Sequence, residues 1–590
     1  MERKKLPFGD PDFKRIIEEN QLYADKTKFI HGMLNHSVCC FLSRPRRFGK
    51  TLLLDTISEL FQGDRVLFKD QWIGTQSDYN FARHPVLTFN MSYANIKTVD
   101  DLASAIAFSV RQQADAHEIS LTTEISYGTM MEQLIDGLYK KNGVRSVILV
   151  DEYDAPVTEQ LADRNLAFAC LKVLHGFYAS IKKCVKRVHF AFVTGITRFA
   201  MTAVDSGANN FSDISLDEDF AGICGFTRHE IDVLFEDRFE ETLKKLKDRD
   251  EVPLSASVDD LKAKIMEWYD GYNWLGNERV LNPYSIINFF HKKHFGAYWP
   301  LSGRLSHLSA IIRDNPLDYL QPGLAVYSDA QVRKTDLSDI GVIPVLFHSG
   351  YVTIDKTITI TRLENNETIE EDGYTFKIPN KEVRSVSKAS IFNDIFKLDK
   401  KYISDLSENM PAALLERNSE EVIKLLRNLL VSIPYHQHPT AKRDEQWDAP
   451  GDRPESEKFY HGILHGSLLS AGFDILSEVS GAGGRADIVL SLHNGVRVVI
   501  ELKYRYPDKY AYKAYEDKET DLEQAKSKAK EKELTAALDS AEAQLRSKDY
   551  AGPHRAARHK VICLAIAILG RSDIAARFVD LEDARAPAGS

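Results

Sequence analysis

Two clusters of residues have the types and spacing of reactive sites. The first is Ser43-Arg-Pro-Arg-Arg-Phe-Gly-Lys50-Thr51. In such a loop successive backbone N–H groups and a helix N-terminus hold phosphate oxygens, Lys50 reaches the terminal phosphates, and the Thr51 hydroxyl binds Mg²⁺. The second is Gly484-Arg-Ala-Asp487, followed by Val499-Ile-Glu501-Leu-Lys503. Two hard carboxylates suit Mg²⁺ or Mn²⁺, and a lysine beside them orients a nucleophile or neutralises developing charge, the set that phosphodiester cleavage needs.

Other residues extend the first cluster. Val147-Ile-Leu-Val-Asp151-Glu152 is an apolar run ending in two carboxylates. Asp151 would hold Mg²⁺ through water, and Glu152 would orient and deprotonate an attacking water. Phe192-Val-Thr194-Gly-Ile-Thr-Arg198 ends another strand with polar groups. Thr194 could sense a γ-phosphate, and Arg198 could contact nucleotide, a neighbouring subunit or an ordinary surface partner. The nucleotide set is therefore Arg46, Arg47, Phe48, Gly49, Lys50, Thr51, Asp151, Thr194 and Arg198, with ATP as ligand and Thr51 and Asp151 at its metal. The generic loop has a glycine where this chain has Arg44; Arg44, Arg46 and Arg47 could face phosphate or solvent.

In the second cluster Glu501 and Lys503 alternate onto one face of a strand, with Leu502 on the other. Asp487 lies directly across from Glu501 only if the turn at His493-Asn-Gly495 has an odd number of residues; a two-residue Asn494-Gly495 turn puts the carboxylates on opposite faces unless a bulge intervenes.

The elements that must position these groups are legible. Val38–Leu42, Val86–Phe89, Val147–Val150 and His189–Val193 are apolar strand candidates separated by helical stretches, the pattern of a parallel sheet covered on both faces. Leu363–Gly373 is an acidic exposed hairpin, Trp268–Trp274 is aromatic core, and a helical stretch from Lys381 to Leu430 leads to the C-terminal strands. The 590 residues, 43% hydrophobic and 27% charged, can fill several cores. Six cysteines without CxxC spacing point to buried thiols. No apolar run of membrane length or signal segment is present, so a cytoplasmic protein without a membrane partner is expected. The formal net charge of -10 means that any nucleic-acid contact relies on local basic surface.

With these motifs the chain resembles AAA-ATPase-like proteins fused to a nuclease of the PD-(D/E)XK superfamily. The resemblance is carried by Tyr23-Ala-Asp25-Lys26-Thr27, Arg44–Thr51, Leu149–Asp154, Thr194–Arg198, Gly225-Phe-Thr227, Trp268–Tyr272, Asn282-Pro-Tyr-Ser285, Gly350–Ile354 and Pro379–Arg384. It makes Arg44 the family's own form of the loop. It implies an α/β fold: a P-loop ATPase domain with a parallel sheet over 1–225, a helical lid and connecting region over 226–385, and an α/β nuclease-like domain over 386–590 with its core at about 455–575. Asp487, Glu501 and Lys503 fall on the nuclease motif, with Ala486 in place of its nominal proline. The family pattern adds Glu457 as a further acidic metal ligand, set against a solvated helix charge, with His461 on its face and Glu478 as a second candidate. Gln544 and Tyr550 match a superfamily element near the active site, and Lys526–Lys532 could contact phosphates or simply face solvent. The implied function is ATP binding and hydrolysis coupled to metal-dependent cleavage of nucleic acid, with DNA favoured by analogy and a homo-oligomer possible. The alternative is an ATP-controlled switch or scaffold that binds nucleic acid or a protein without cutting.

Overall fold

A computed structural model describes residues 3–93, 95–122, 125–161, 163–198, 211–276, 278–299, 325–333, 341–364, 367–385, 396–433, 454–475, 480–481, 484–492, 495–505, 522–548, 550 and 559–580. The described residues form two compact units, one up to 299 together with 325–385, the other from 396 onward.

The first unit is built on five strands, β1 (Cys39–Ser43), β2 (Val86–Asn90), β3 (Ser146–Asp151), β4 (Val188–Gly195) and β5 (Ser212–Asp213), in the spatial order β2-β3-β4-β1-β5. All four pairings are parallel. Such strands are covered on both faces, which is why β1 and β3 are buried at every position. Helix α1 (Lys50–Gln62) follows the phosphate loop directly; Gly49 at its N-cap has φ 92°, a conformation that glycine adopts without a Cβ clash. Its Leu53, Leu54, Ile57, Leu60 and Phe61 bury one stripe against the sheet.

The described residues of 226–385 belong to the same compact unit as the sheet. They include helices α2 (Arg228–Leu234), α3 (Pro283–Lys292) and α4 (Lys381–Ser385), and also an antiparallel hairpin of Thr353–Glu364 with Glu367–Lys377. The region is thus helical only in part. Tyr269, Tyr272 and Trp274 are buried, as core residues are.

The second unit has a mixed sheet of β6 (Asp474–Ile475), β7 (Ile488–Ser491), β8 (Arg497–Arg505), β9 (Val561–Leu569) and β10 (Asp573–Val579), hydrogen-bonded in that order. Only β8 and β9 are parallel, and a parallel pair needs a crossover. Helix α6 (Leu522–Ser547) lies within it, burying Ala537, Leu538, Ala541 and Leu545 against Val499, Ala565 and Ala567. Helix α5 (Pro454–Ser470) packs against β8. The expected helical stretch from Lys381 to Leu430 is instead interrupted, with helices at Lys381–Ser385, Lys400–Leu415 and Ser419–Ser432. All six cysteines are buried. Among the described residues no helix is long and apolar enough to cross a membrane.

Candidate active sites

The C-terminal ends of β1 and β3 open onto a cavity of about 560 Å³, within the size range of small-molecule sites. Arg46, Arg47, Phe48, Gly49, Lys50 and Thr51 line it from the loop, Glu152 from the end of β3, and Tyr284, Ile287 and Asn288 from α3. Lys50 is buried, and its Nζ donates to the carbonyls of Arg44 (3.0 Å) and Pro45 (3.1 Å), so the ammonium sits inside the curl of the loop. Thr51 Oγ1 donates to Asp151 Oδ2 at 2.8 Å. These two hard oxygens fit a Mg²⁺ ion carried by a triphosphate. Burial pushes the Glu152 carboxyl above its ordinary range, with Lys50 opposing the shift, a direction that favours a general base. Lys26 also lines the cavity and ion-pairs with Glu230 at 2.7 Å, in the capping box that starts α2.

Three residues of the predicted nucleotide set, Asp151, Thr194 and Arg198, do not line this cavity, although Asp151 is hydrogen-bonded to Thr51, which does. Thr194 is fully buried and its hydroxyl donates to the Leu42 carbonyl at 2.9 Å, tying β4 to β1. Arg198 is buried and pairs with Asp213 at the end of β5. A strand end places a residue near a ligand without fixing the direction of its side chain. Phe48 does line the cavity, but its ring packs edge-on against Tyr272 (4.8 Å between centroids) and Trp274 (5.3 Å).

The departure at Arg44 also has a structural reason. Arg44 is 1% exposed and donates to the carbonyls of Ser43 (2.9 Å), Ser215 (2.8 Å) and Phe220 (3.1 Å), with its guanidinium 4.5 Å from the Trp274 ring centre. It faces neither phosphate nor solvent; it fastens the root of the loop to the chain after β5. Arg46 and Arg47 are exposed, and Arg47 lies over Tyr284 at 5.3 Å.

One more residue, which the sequence did not single out as a functional group, supports both walls of the cavity. Glu382 on α4 is fully buried and accepts from Ser285 Oγ on α3 (2.8 Å), Tyr298 N (2.7 Å) and Trp299 N (2.9 Å). The Trp299 indole in turn donates to the Arg46 carbonyl at 3.0 Å. Burial, only partly offset by these hydrogen bonds, pushes the Glu382 carboxyl up to about 7.

In the second unit, β7 and β8 pair Ile488 with Ile500 through Ser491 with Arg497, and Leu492 N donates to Val496 O at 2.9 Å. One step further, this register sets Asp487 across from Glu501, the odd parity that a shared face requires. Asp487 Oδ2 accepts from Leu502 N at 2.8 Å. Glu501 is fully buried, and among the described residues its Oε2 has no hydrogen-bond partner. Burial, then the negative charge of Asp487, pushes its carboxyl up to about 8. Lys503 Nζ lies 3.3 Å from Glu501 and 3.4 Å from Glu457. Burial lowers the Lys503 pKa, but Glu457, Glu501 and Asp487 outweigh it and the net shift is upward.

A buried, unpartnered carboxylate oxygen beside a second carboxylate is what a divalent metal would satisfy, so the donors fit one. Glu457 reaches the cluster from α5, yet its oxygens face Lys503 and Tyr504 N (3.2 Å). Among the described residues no group of three or more His, Cys, Asp and Glu is gathered as a metal site. Gln544 Nε2 donates to Tyr550 Oη at 3.0 Å, and Tyr550 lies within electrostatic reach of Glu501, Asp487 and Lys503. The turn residues His493 and Asn494, and Glu478, lie outside the described residues, as does the side chain of Lys526.

Comparison with known proteins agrees with this division. Residues 7–205 match the family described as "Predicted AAA-ATPase", and residues 455–577 match the "PD-(D/E)XK nuclease superfamily". A protein of Azotobacter chroococcum mcd 1, described as "Uncharacterized protein in vnfD 5'region", is 30% identical over 520 residues, covering 85% of this chain and 90% of the relative.

Proposed function

Because the chain belongs to the AAA-ATPase-like proteins that carry a C-terminal PD-(D/E)XK nuclease superfamily domain, we propose that it hydrolyses ATP and uses the nucleotide to control metal-dependent cleavage of nucleic acid. The cleavage half is supported above all by the unpartnered Glu501 oxygen, across from Asp487 and beside Lys503. The ATP half is supported by the cavity where Lys50, Thr51 and Glu152 meet.

In the first site the loop would bind the triphosphate, Thr51 and Asp151 would hold its Mg²⁺, and Glu152 would orient water and take its proton. In the second, Asp487 and Glu501 would hold Mg²⁺ or Mn²⁺. Lys503 positions the water or scissile phosphate and balances charge, while Glu457 orients the lysine. A metal bound there would supply an activated water and charge stabilisation. DNA is taken as the substrate by analogy with the superfamily.

A noncutting switch is the second reading. It is favoured by Asp487 already accepting a backbone hydrogen bond and by Lys503 bridging two glutamates. One experiment separates the two: single- and double-stranded DNA and RNA are incubated with the protein and Mg²⁺ or Mn²⁺, with and without ATP. Cleavage by wild type that is lost in Asp487→Ala and Lys503→Ala supports the nuclease. No cleavage of any substrate, with ATP hydrolysis intact, leaves the switch. Hydrolysis unchanged in Lys50→Ala and Glu152→Gln refutes the ATP site.

A further inference from the structure

Glu152 is held in an unusual backbone conformation. Its φ is 50°, in the left-handed region, which costs a residue with a Cβ on the order of 1–2 kcal/mol and persists only where neighbours impose it. On its N-terminal side Asp151 ends β3, accepts from Thr51 Oγ1, and takes the Glu152 N–H on its own Oδ1 at 2.9 Å. On its C-terminal side the chain is pinned to the segment after β4. Tyr153 N donates to the Thr194 carbonyl (3.1 Å), and Tyr153 Oη donates to the Thr197 carbonyl (2.9 Å). Asp154, 1% exposed, accepts from Ile196 N on Oδ1 (3.1 Å) and from both Thr197 N and Thr197 Oγ1 on Oδ2 (2.6 Å each).

The approach is so close that a Cβ on Gly195 would lie 2.3 Å from Asp154 Oδ1 and 2.4 Å from the Tyr153 ring. Residues on both sides of Glu152 are thus fixed, and the turn between them is absorbed at Glu152 itself. Glu152 lines the cavity that Lys50 and Thr51 also line.

We propose that Asp154 is a positioning residue for ATP hydrolysis: by bracing Ile196 and Thr197 it holds Glu152 in the conformation from which it addresses the attacking water. This rests on the reading of Glu152 as the hydrolytic base. It also gives the Thr194–Arg198 segment a role that is mechanical rather than ligand-binding. Asp154 does not line the cavity, so losing the brace affects the chemical step and spares nucleotide affinity.

The test uses the full chain with Mg²⁺ and ATP, reading kcat and, separately, the ATP Kd by calorimetry. Asp154→Asn keeps the shape of the side chain but replaces one acceptor. It should lower kcat about 10- to 100-fold, the scale expected when a catalytic group is displaced by an ångström or less, with Kd within about threefold. Thr197→Val should lower kcat in the same direction, and Thr197→Ser, which keeps the hydroxyl, should restore it. In a Glu152→Gln background Asp154→Asn should add nothing further, because the two residues act through one group. An unchanged kcat in Asp154→Asn overturns the inference, as does a Kd that worsens in step with kcat, or a full additional loss in the Glu152→Gln background. A wild type that hydrolyses no ATP overturns the ATPase reading itself, an outcome distinct from these.

Discussion

Replacing Glu382 by glutamine should stabilise the first unit at alkaline pH and make little difference in acid. The carboxyl is pushed from its ordinary 4.5 up to about 7 by burial, and at ~1.4 kcal/mol per pKa unit the ionised form is disfavoured by about 3 kcal/mol. Because the folded chain holds this proton more tightly than the unfolded chain, the group's contribution is complete below the unfolded pKa and is lost as pH rises through about 7. Glutamine never ionises. Its oxygen can still accept from Tyr298 N and Trp299 N, and its amide can donate to the Ser285 hydroxyl. The stability difference between Glu382→Gln and wild type should therefore widen by about 3 kcal/mol between pH 4.5 and 8. Glu382→Ala instead strands three donors, each worth about 1–3 kcal/mol when left unpaired, and should be destabilised at every pH. The assay is urea denaturation followed by tryptophan fluorescence at a series of pH values; four of the five tryptophans, Trp72, Trp268, Trp274 and Trp299, lie in this unit. A Glu382→Gln difference that stays constant across that range would refute the reasoning.

Further outcomes are expected at the other positions. Arg44→Gly restores the generic phosphate-loop glycine, yet it should lower the stability of the first unit by several kcal/mol in denaturation, since three buried carbonyls lose their donor and Trp274 loses its cation; ~1 kcal/mol or more per bond is the expected scale. Unchanged stability would show that the anchor is dispensable. Thr51→Ala should abolish Mg²⁺-dependent ATP hydrolysis with an intact fold by circular dichroism, and residual hydrolysis near the wild-type rate would remove Thr51 from the site. Mn²⁺ or Mg²⁺ should raise the melting temperature of the second unit in wild type, but not in Glu501→Gln or Asp487→Asn, as binding to the folded state alone requires; an equal rise in all three would locate the metal elsewhere.

What could be read in advance was local in the chain. Strand β1, its loop and α1 are contiguous, so the polarity pattern and Gly49 disclose them together. The same is true of the apolar run that delivers Asp151 and Glu152, and of the hairpin whose parity relates Asp487 to Glu501. What stayed hidden depends on distant partners. Arg44 looked like a residue for phosphate or solvent because its acceptors, Ser215 and Phe220, come from 171 and 176 positions away. Glu382 lay within Pro379–Arg384, a segment that carried the resemblance, but its role had no local signal, since Ser285 and Trp299 lie 97 and 83 positions from it. Thr194 and Arg198 were read at the end of a strand, but the pull of Leu42 and Asp213 on their side chains has no local signature.

The pairing of β7 with β8 has a consequence for how this protein can change over generations. Unless a bulge compensates, Asp487 and Glu501 share a face only while the count of residues between them keeps its parity. A single codon gained or lost at the tip would leave a hairpin that still folds but turns one carboxylate outward, whereas two gained together would leave the pair facing each other. Length variation in this turn among descendants should therefore come in steps of two wherever the site is kept, and an odd step should mark a lineage that has given up the chemistry while keeping the fold.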